Sequence, residues 1–530
     1  GRSWTYPIRL ITPSQLSLFS ISPVIGSWWE ELQARKLFER SKPEPSELEK
    51  QLRSDGERHE EVLLERLEAK GHSIARLLGK QSDADYDATQ DAMRRGVEYI
   101  HQASLRNNAM RGSADLLKRI EKPSSLGNWS YVPIECKLAS KPKTTFLVQA
   151  LAYCELLTPH LGNRPEQFEL YLGGGTFKEF RTKDFWAWYQ QLRDRYAEFL
   201  ESFDPQAIPE DERGDHGSWS AFIDERLVDQ RDLILVADMR ESQRQKLRAA
   251  GITSIDQLAH SPRNTEIPQL DPRIFKQLQE QAEVQCSPKD AEGRPAYRLR
   301  SLIEGKGLYA LPAANTGDIW FDMEGFHDPV LGTKLEYLFG ACYRDSEDKT
   351  PQFKAWWAHS PDEEKAAFQE WVDWVEERRR QHPGLRIYHY ADYEKSAMRR
   401  LSQQHATRER EISEWLSKNV LVDLRPIVKH AIVLGEPNYS IKSVEHLYMG
   451  ARQADVTNAG DSVVAYQRWV DSGEPESPGH APDGSPQLLS IENYNQEDCE
   501  STAYLHDWLC DLRQQQGLPD HSIDSKATEN

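Results

Sequence analysis

The stretch DIWFDMEGF, residues 318 to 326, places two acids two residues apart, with Ile319, Phe321 and Met323 alternating against Trp320, Asp322 and Glu324. Alternation of this kind marks a strand whose i and i+2 side chains share a face. Asp322 and Glu324 therefore stand side by side, and burying even one unpaired ion would cost several kcal/mol. A divalent cation opposite them removes the conflict, because magnesium and manganese favour hard oxygen ligands and a pair of such ions needs several carboxylates. Downstream, Asp392 follows the strand-like LRIYHY, and the helical ENYNQEDCESTAYLHDWL sets Tyr494 and Asp498 four residues apart on one helix face. Asp423 in LVDLRPIV is a rival for the third acid; the spacing favours Asp392 and leaves Asp423 a structural role. A lone acid pair on a strand is usually a solvated edge, so the ordered set carries the argument.

A second cluster lies earlier. In YVPIECKLA, Val132, Ile134, Cys136 and Leu138 form one face, and Glu135 and Lys137 project from the other. Alone, that pair would be a surface ion pair worth well under about 1 kcal/mol. It has company: Asp115 upstream in RGSADLLKRI, Gln149 and Tyr153 one helical turn apart in VQALAYCELL, and His59 in DGERHEEVLLERL. By itself His59 would be a helix histidine packed beside Val62 and Leu63.

The elements that must position these groups are those of an α/β multidomain chain. At 530 residues, two to four domains are expected. A first α/β region runs over 1–215, with DERGDHGSWS (211 to 220) as a linker; residues 216–290 hold short helices, among them a helix-hairpin-helix-like pair in KLRAAGITSIDQLA that would otherwise be a plain spacer; a second α/β region spans 291–515. DSGEPESPGHAPDGSP (471 to 486) reads as a flexible excursion and 516–530 as a disordered tail. No run approaches the roughly 18 apolar residues of a membrane span, and the first residues lack a secretory pattern, so a cytoplasmic protein with no membrane partner is expected. The six cysteines are scattered without a CxxC pair, against structural zinc, an iron-sulfur cluster and disulfides. A net charge of −19 argues against coating nucleic acid over the whole surface but leaves room for a local basic channel, with Arg378, Arg379, Arg380, Arg399 and Arg400 as candidates.

The order DxE, a later Asp after a strand, then YxxxD resembles the DEDDy exonucleases of the ribonuclease H-like superfamily, over residues 317 to about 512. The resemblance implies that Asp322, Glu324, Asp392 and Asp498 bind two magnesium or manganese ions for 3′-5′ trimming, with Tyr494 orienting the attacking water. The earlier set, D then ExK then QxxxY with a preceding histidine, resembles the PD-(D/E)XK nuclease fold of the RecB family, although no proline precedes Asp115. That implies one or two metals held by His59, Asp115 and Glu135, with Lys137 positioning water and steadying the phosphate and Gln149 and Tyr153 completing the motif. The pieces in sequence, with GLYALPAANTGDIWFDMEG, LGEPNYSIKSVEHLY and YNQEDCESTAYLHDWL, resemble the two-nuclease RecB-like family of bacteria and archaea; the cysteines that ligate an iron-sulfur cluster in some relatives are lacking. The implied function is a two-site nuclease cutting single-stranded or flapped DNA ends in repair, processing or defence, with a helicase in trans or in a missing C-terminal part as partner. The alternatives are a nucleic-acid-binding module of a helicase-nuclease assembly with one site idle, and an RNA-directed exonuclease, since the chemistry attacks phosphate whatever the sugar.

Overall fold

The computed structural model describes residues 9–41, 44–345, 350–452, 456 and 458–518. The chain forms two compact units, one of Gly1–Leu227 with His327–Thr333, the other of Val228–Phe326 with Lys334–Asn530.

The first unit is built on a six-stranded sheet of β1 (Ile74–Arg76), β2 (Tyr99–Arg106), β3 (Arg111–Ile120), β4 (Ser130–Cys136), β5 (Gln167–Leu172) and β6 (Thr176–Arg181), in that order. β2, β3 and β4 run antiparallel, whereas β4 and β5 are parallel. A parallel pair needs a crossover, supplied by the helix Thr144–Leu161. That helix packs with Leu117, Tyr131 and Leu170 into one core. The helix Glu47–Ala69 covers Leu116, Ile134 and Tyr171 in a second. Both faces are thus covered, and Ser130 through Glu135 are all buried. The stretch 211 to 220 is not a linker. Asp211 is held by the Arg226 guanidinium at 3.0 and 3.1 Å, and Trp219 is fully buried against Trp29 and Phe222.

In the second unit the strands are β7 (Tyr297–Leu299), β8 (Ile319–Asp328), β9 (Thr333–Tyr343), β10 (Gln352–Trp357), β11 (Ile387–His389), β12 (Leu421–Asp423) and β13 (Ile432–Leu434). Five form a sheet in the order β10-β9-β8-β11-β12, with β8, β11 and β12 parallel; β7 and β13 pair separately. Ile319, Phe321 and Met323 pack with Trp371 and Met398 under the helices Pro361–Gln381 and Tyr393–Gln404. Trp320 lies on the opposite face with Cys499, Ala503 and Leu505 of the long helix Pro486–Gln515. The alternation in β8 therefore turns Asp322 and Glu324 toward that helix.

The helices Glu241–Ala249, Ile255–His260 and Pro272–Cys286 enclose a small core of their own, including Leu247, Ile255, Leu258 and Phe275. Arg244 and Asp232, each 1% exposed, pair bidentately at 2.8 and 2.9 Å beneath it. The first two helices meet at Gly251, whose φ of +88° is open to glycine at little cost. The excursion at 471 to 486 is stapled rather than loose: the Gly479 amide donates to the Ser485 carbonyl at 3.2 Å, and His359 Nε2 donates to the Glu476 carbonyl at 2.9 Å. Of the tail, residues 516–518 close the long helix and 519–530 lie outside the described residues. No helix among the described residues is long and apolar enough to cross a membrane.

Candidate active site

Asp322 and Glu324 from β8 and Asp498 from the long helix bring carboxylate oxygens within 4.8 Å of one another, the one such set among the described residues. Burial, followed by the charge of Asp498, pushes both β8 acids well above the usual carboxylate range. Asp498 is also raised by burial, with Arg452 pulling the other way. Three such groups raise one another unless positive charge stands among them, and of the three Arg452 faces Asp498 alone.

The protein fixes each of them. Asn495, fully buried, donates from Nδ2 to the Asp322 carbonyl at 3.3 Å and to its Oδ2 at 3.2 Å. Ser462 Oγ donates to Glu324 Oε2 at 3.2 Å and sits 2.6 Å from the Tyr337 hydroxyl. Arg452 Nη1 lies 2.5 Å from Asp498 Oδ1 while its other nitrogens grip Glu445 at 2.8 and 2.9 Å. Tyr494 is buried one turn before Asp498, with Lys442 Nζ 5.0 Å from its ring centroid. Burial and then the three acids push its phenol far up, so the hydroxyl remains protonated.

Asp392 is not in this cluster. It is exposed, immediately precedes the helix Tyr393–Gln404, and accepts from Ser396 Oγ at 2.7 Å. The fourth carboxylate belongs to Glu394, which is 4% exposed, hydrogen-bonds with Asp322 and stands 3.6 Å from His389 Nδ1. The reason is helical geometry. Side chains lean toward a helix N-terminus, so a first-turn residue on the buried stripe reaches back to the sheet, whereas the preceding residue faces water. Asp423 keeps its structural role, accepting from the amides of Ala391 at 2.8 Å and Arg425 at 2.9 Å.

In the first unit, Asp115 on β3 and Glu135 on β4 hydrogen-bond with one another, and Asp115 Oδ2 accepts the Cys136 amide at 2.9 Å. Burial, then the Asp115 charge, holds Glu135 far above its ordinary value. Lys137 Nζ lies 3.8 Å from Glu135 Oε2 and donates to Gln149 Oε1 at 2.7 Å; Gln149 Nε2 in turn donates to Ser17 Oγ at 3.3 Å. Tyr153 supports β3 from behind, its hydroxyl donating to the Ser113 carbonyl at 2.7 Å. His59 is not in hydrogen-bond contact with the acids. Its ring stacks on Tyr171 at 4.3 Å and its Nε2 donates to the Tyr171 carbonyl at 3.2 Å. Glu60, next to it in the chain, bears on Asp115 electrostatically and pairs with His101 at 2.9 Å.

The run Arg378 to Arg380 does not line a channel. Arg378 is buried and donates to the carbonyls of Gly317 and Arg344, each at 2.8 Å, and Arg379 and Arg380 pair with Glu376 and Glu377 on their own helix. Arg400 pairs with Glu336 at 2.6 Å, leaving Arg399 exposed.

No curated protein matches the chain. Residues 319–510, the stretch that carries Asp322, Glu324, Glu394 and Asp498, match the model of the RNase_H superfamily, and this part of the chain is an RNase H-like domain.

Proposed function

We propose that the protein is a metal-dependent nuclease with two active sites, hydrolysing DNA phosphodiester bonds at single-stranded or flapped ends. The observation that carries the reading is the convergence of Asp322 and Glu324 of the central strand β8 with Asp498 of the long helix, joined by Glu394 through Asp322, in an RNase H-like domain. The set suits magnesium or manganese: its donors are all oxygen, and burial raises Asp322, Glu324 and Asp498 alike, a conflict that a bound cation would relieve. Bound there, such ions would supply hydroxide near neutral pH and stabilise the leaving 3′ oxygen. The chain's own part is orientation. Asn495 and Ser462 aim the β8 acids, the Glu445–Arg452 pair holds Asp498, and the protonated Tyr494 can donate to an attacking water but cannot take its proton.

The first unit supports a PD-(D/E)XK site of the RecB type. Glu135 Oε1 and His59 Nδ1 are both buried without a partner. Because the Tyr171 carbonyl can only accept, His59 Nε2 carries the ring proton and Nδ1 keeps its lone pair, the tautomer a metal requires. Lys137, steered by Gln149, would meet the negative charge that develops on the phosphate. The hairpin at Gly251 would offer backbone amides to further phosphates. Repair, processing or defence, with a helicase feeding the strand, is the setting such an enzyme would serve.

The test uses end-labelled single- and double-stranded DNA and RNA with wild type, Asp322→Ala and Lys137→Ala. Magnesium-dependent DNA cleavage is expected, with stepwise trimming lost in Asp322→Ala and only the remaining activity lost in Lys137→Ala. Cleavage that survives excess EDTA overturns the metal reading; one substitution that abolishes every product overturns independent sites; cleavage of RNA alone overturns the choice of DNA.

A further inference from the structure

Tyr393 directly precedes Glu394, and its hydroxyl lies 3.0 Å from where a Cβ on Gly325 would be, on the face of β8 opposite to Glu324. That hydroxyl donates to Glu336 Oε1 at 2.5 Å. Glu336 has no exposed surface, yet its partners come from the rim: Arg400 Nη2 at 2.6 Å and Lys334 Nζ at 3.5 Å, with side chains 35% and 44% exposed. Lys334 Nζ also lies 5.1 Å from the Tyr393 ring centroid. Tyr393 itself is 43% exposed. A buried carboxylate thus holds the edge of an aromatic ring that is otherwise open to water, with two cations beside it. Packing alone gives no reason for such an arrangement, because a tyrosine that served the core would bury its ring. A ring already immobilised is what a base can stack on at little entropic cost.

We propose that Tyr393 is the stacking platform for the base of the nucleotide next to the scissile phosphate, with Lys334 and Arg400 lending charge to the adjoining backbone. This rests on the nuclease reading and names the part of the strand the second unit holds. Every base has a π face, so the platform accepts all four and rejects an end that lacks a base.

The experiment compares two otherwise identical single-stranded oligonucleotides, one with an ordinary 3′-terminal nucleotide and one with an abasic 3′ terminus, in the full chain carrying Lys137→Ala. The base-bearing end should be favoured in kcat/KM by roughly tenfold, the scale of one base-aromatic stack. Tyr393→Ala should bring that ratio close to one, and Tyr393→Phe and Tyr393→Trp should keep it. With calcium in place of magnesium, 2-aminopurine at the 3′ terminus should lose fluorescence on binding to the unsubstituted ring, a readout independent of how well any Tyr393 variant folds. An unquenched fluorophore, a parent chain indifferent to the terminal base, or a Tyr393→Ala chain that still discriminates overturns the platform. A chain that cleaves neither oligonucleotide removes the nuclease reading itself; one that cleaves both equally removes the platform alone.

Discussion

Asn495 on the long helix and Gly340 on β9 are locked together: a Cβ added at Gly340 would fall 1.7 Å from Asn495 Oδ1, a contact no real pair of atoms sustains. Gly340→Ala must therefore lift the helix that carries Tyr494 and Asp498, even though residue 340 touches no candidate ligand. A loss of about 1–3 kcal/mol is expected, the usual cost of overpacking, together with loss of trimming. Thermal melts of Gly340→Ala, Asn495→Ala and the double variant check this. The double variant should be less destabilised than the sum of the singles, because removing the amide removes the collision; strict additivity would refute the coupling.

The exchange of Asp392 for Glu394 is equally direct to examine. Glu394→Gln should cut trimming by more than the roughly 10- to 100-fold that losing a supporting residue costs. Asp392→Asn, altering an exposed carboxylate, should leave the rate within about twofold. Single-turnover rates in saturating magnesium decide the matter, and the reverse ranking would return Asp392 to the cluster.

For the first unit, His59→Phe preserves a ring to stack on Tyr171 and deletes both nitrogens. In an Asp322→Ala background, where the second unit is silenced, manganese affinity by calorimetry should fall by roughly 10- to 100-fold and the residual cleavage with it. Unchanged affinity would make His59 a packing residue.

Stability should depend on pH through His506. It is fully buried, stacked on Tyr388 at 3.9 Å, and takes the Trp320 indole N–H on Nδ1 at 3.3 Å. Burial, then Arg513 and Arg344, lowers its pKa from about 6.5 to about 3. The folded chain therefore keeps the ring neutral while the unfolded chain protonates it below about pH 6.5, so this group favours unfolding as pH falls from 6.5 toward 3. At pH 5 its share is on the order of 2 kcal/mol. Urea unfolding at pH 7.5 and 5.0 should show a smaller loss on acidification in His506→Gln than in wild type; equal losses would count against it.

The strand face of β8 and the helix spacing from Tyr494 to Asp498 were legible because each depends on residues close in the chain and on a fixed period. Glu394 was legible too, but by another signal. Glu394, Ala397, Met398 and Leu401 recur at i, i+3, i+4 and i+7, all buried, so an acid occupies the apolar stripe of its helix. Reading for the first acid after a strand selects Asp392 instead. Asn495 and Ser462 left no such trace. They meet their partners across 173 and 138 residues, and nothing in a local pattern encodes a contact of that span. The stretch 211 to 220 misled because its polar residues outnumber its one anchor, Trp219, whose burial depends on Trp29 far upstream.

The distance between Asp322 and Asn495 also has a bearing on how the protein is made. At ribosomal speeds of about 5–20 residues per second, the 173 residues separating them take roughly 10–35 s to emerge. Throughout that interval the β8 acids exist without the helix that completes their set. On the nuclease reading, the second unit acquires hydrolytic competence only once the long helix has emerged and folded onto β8, well after the strand that carries its first two acids.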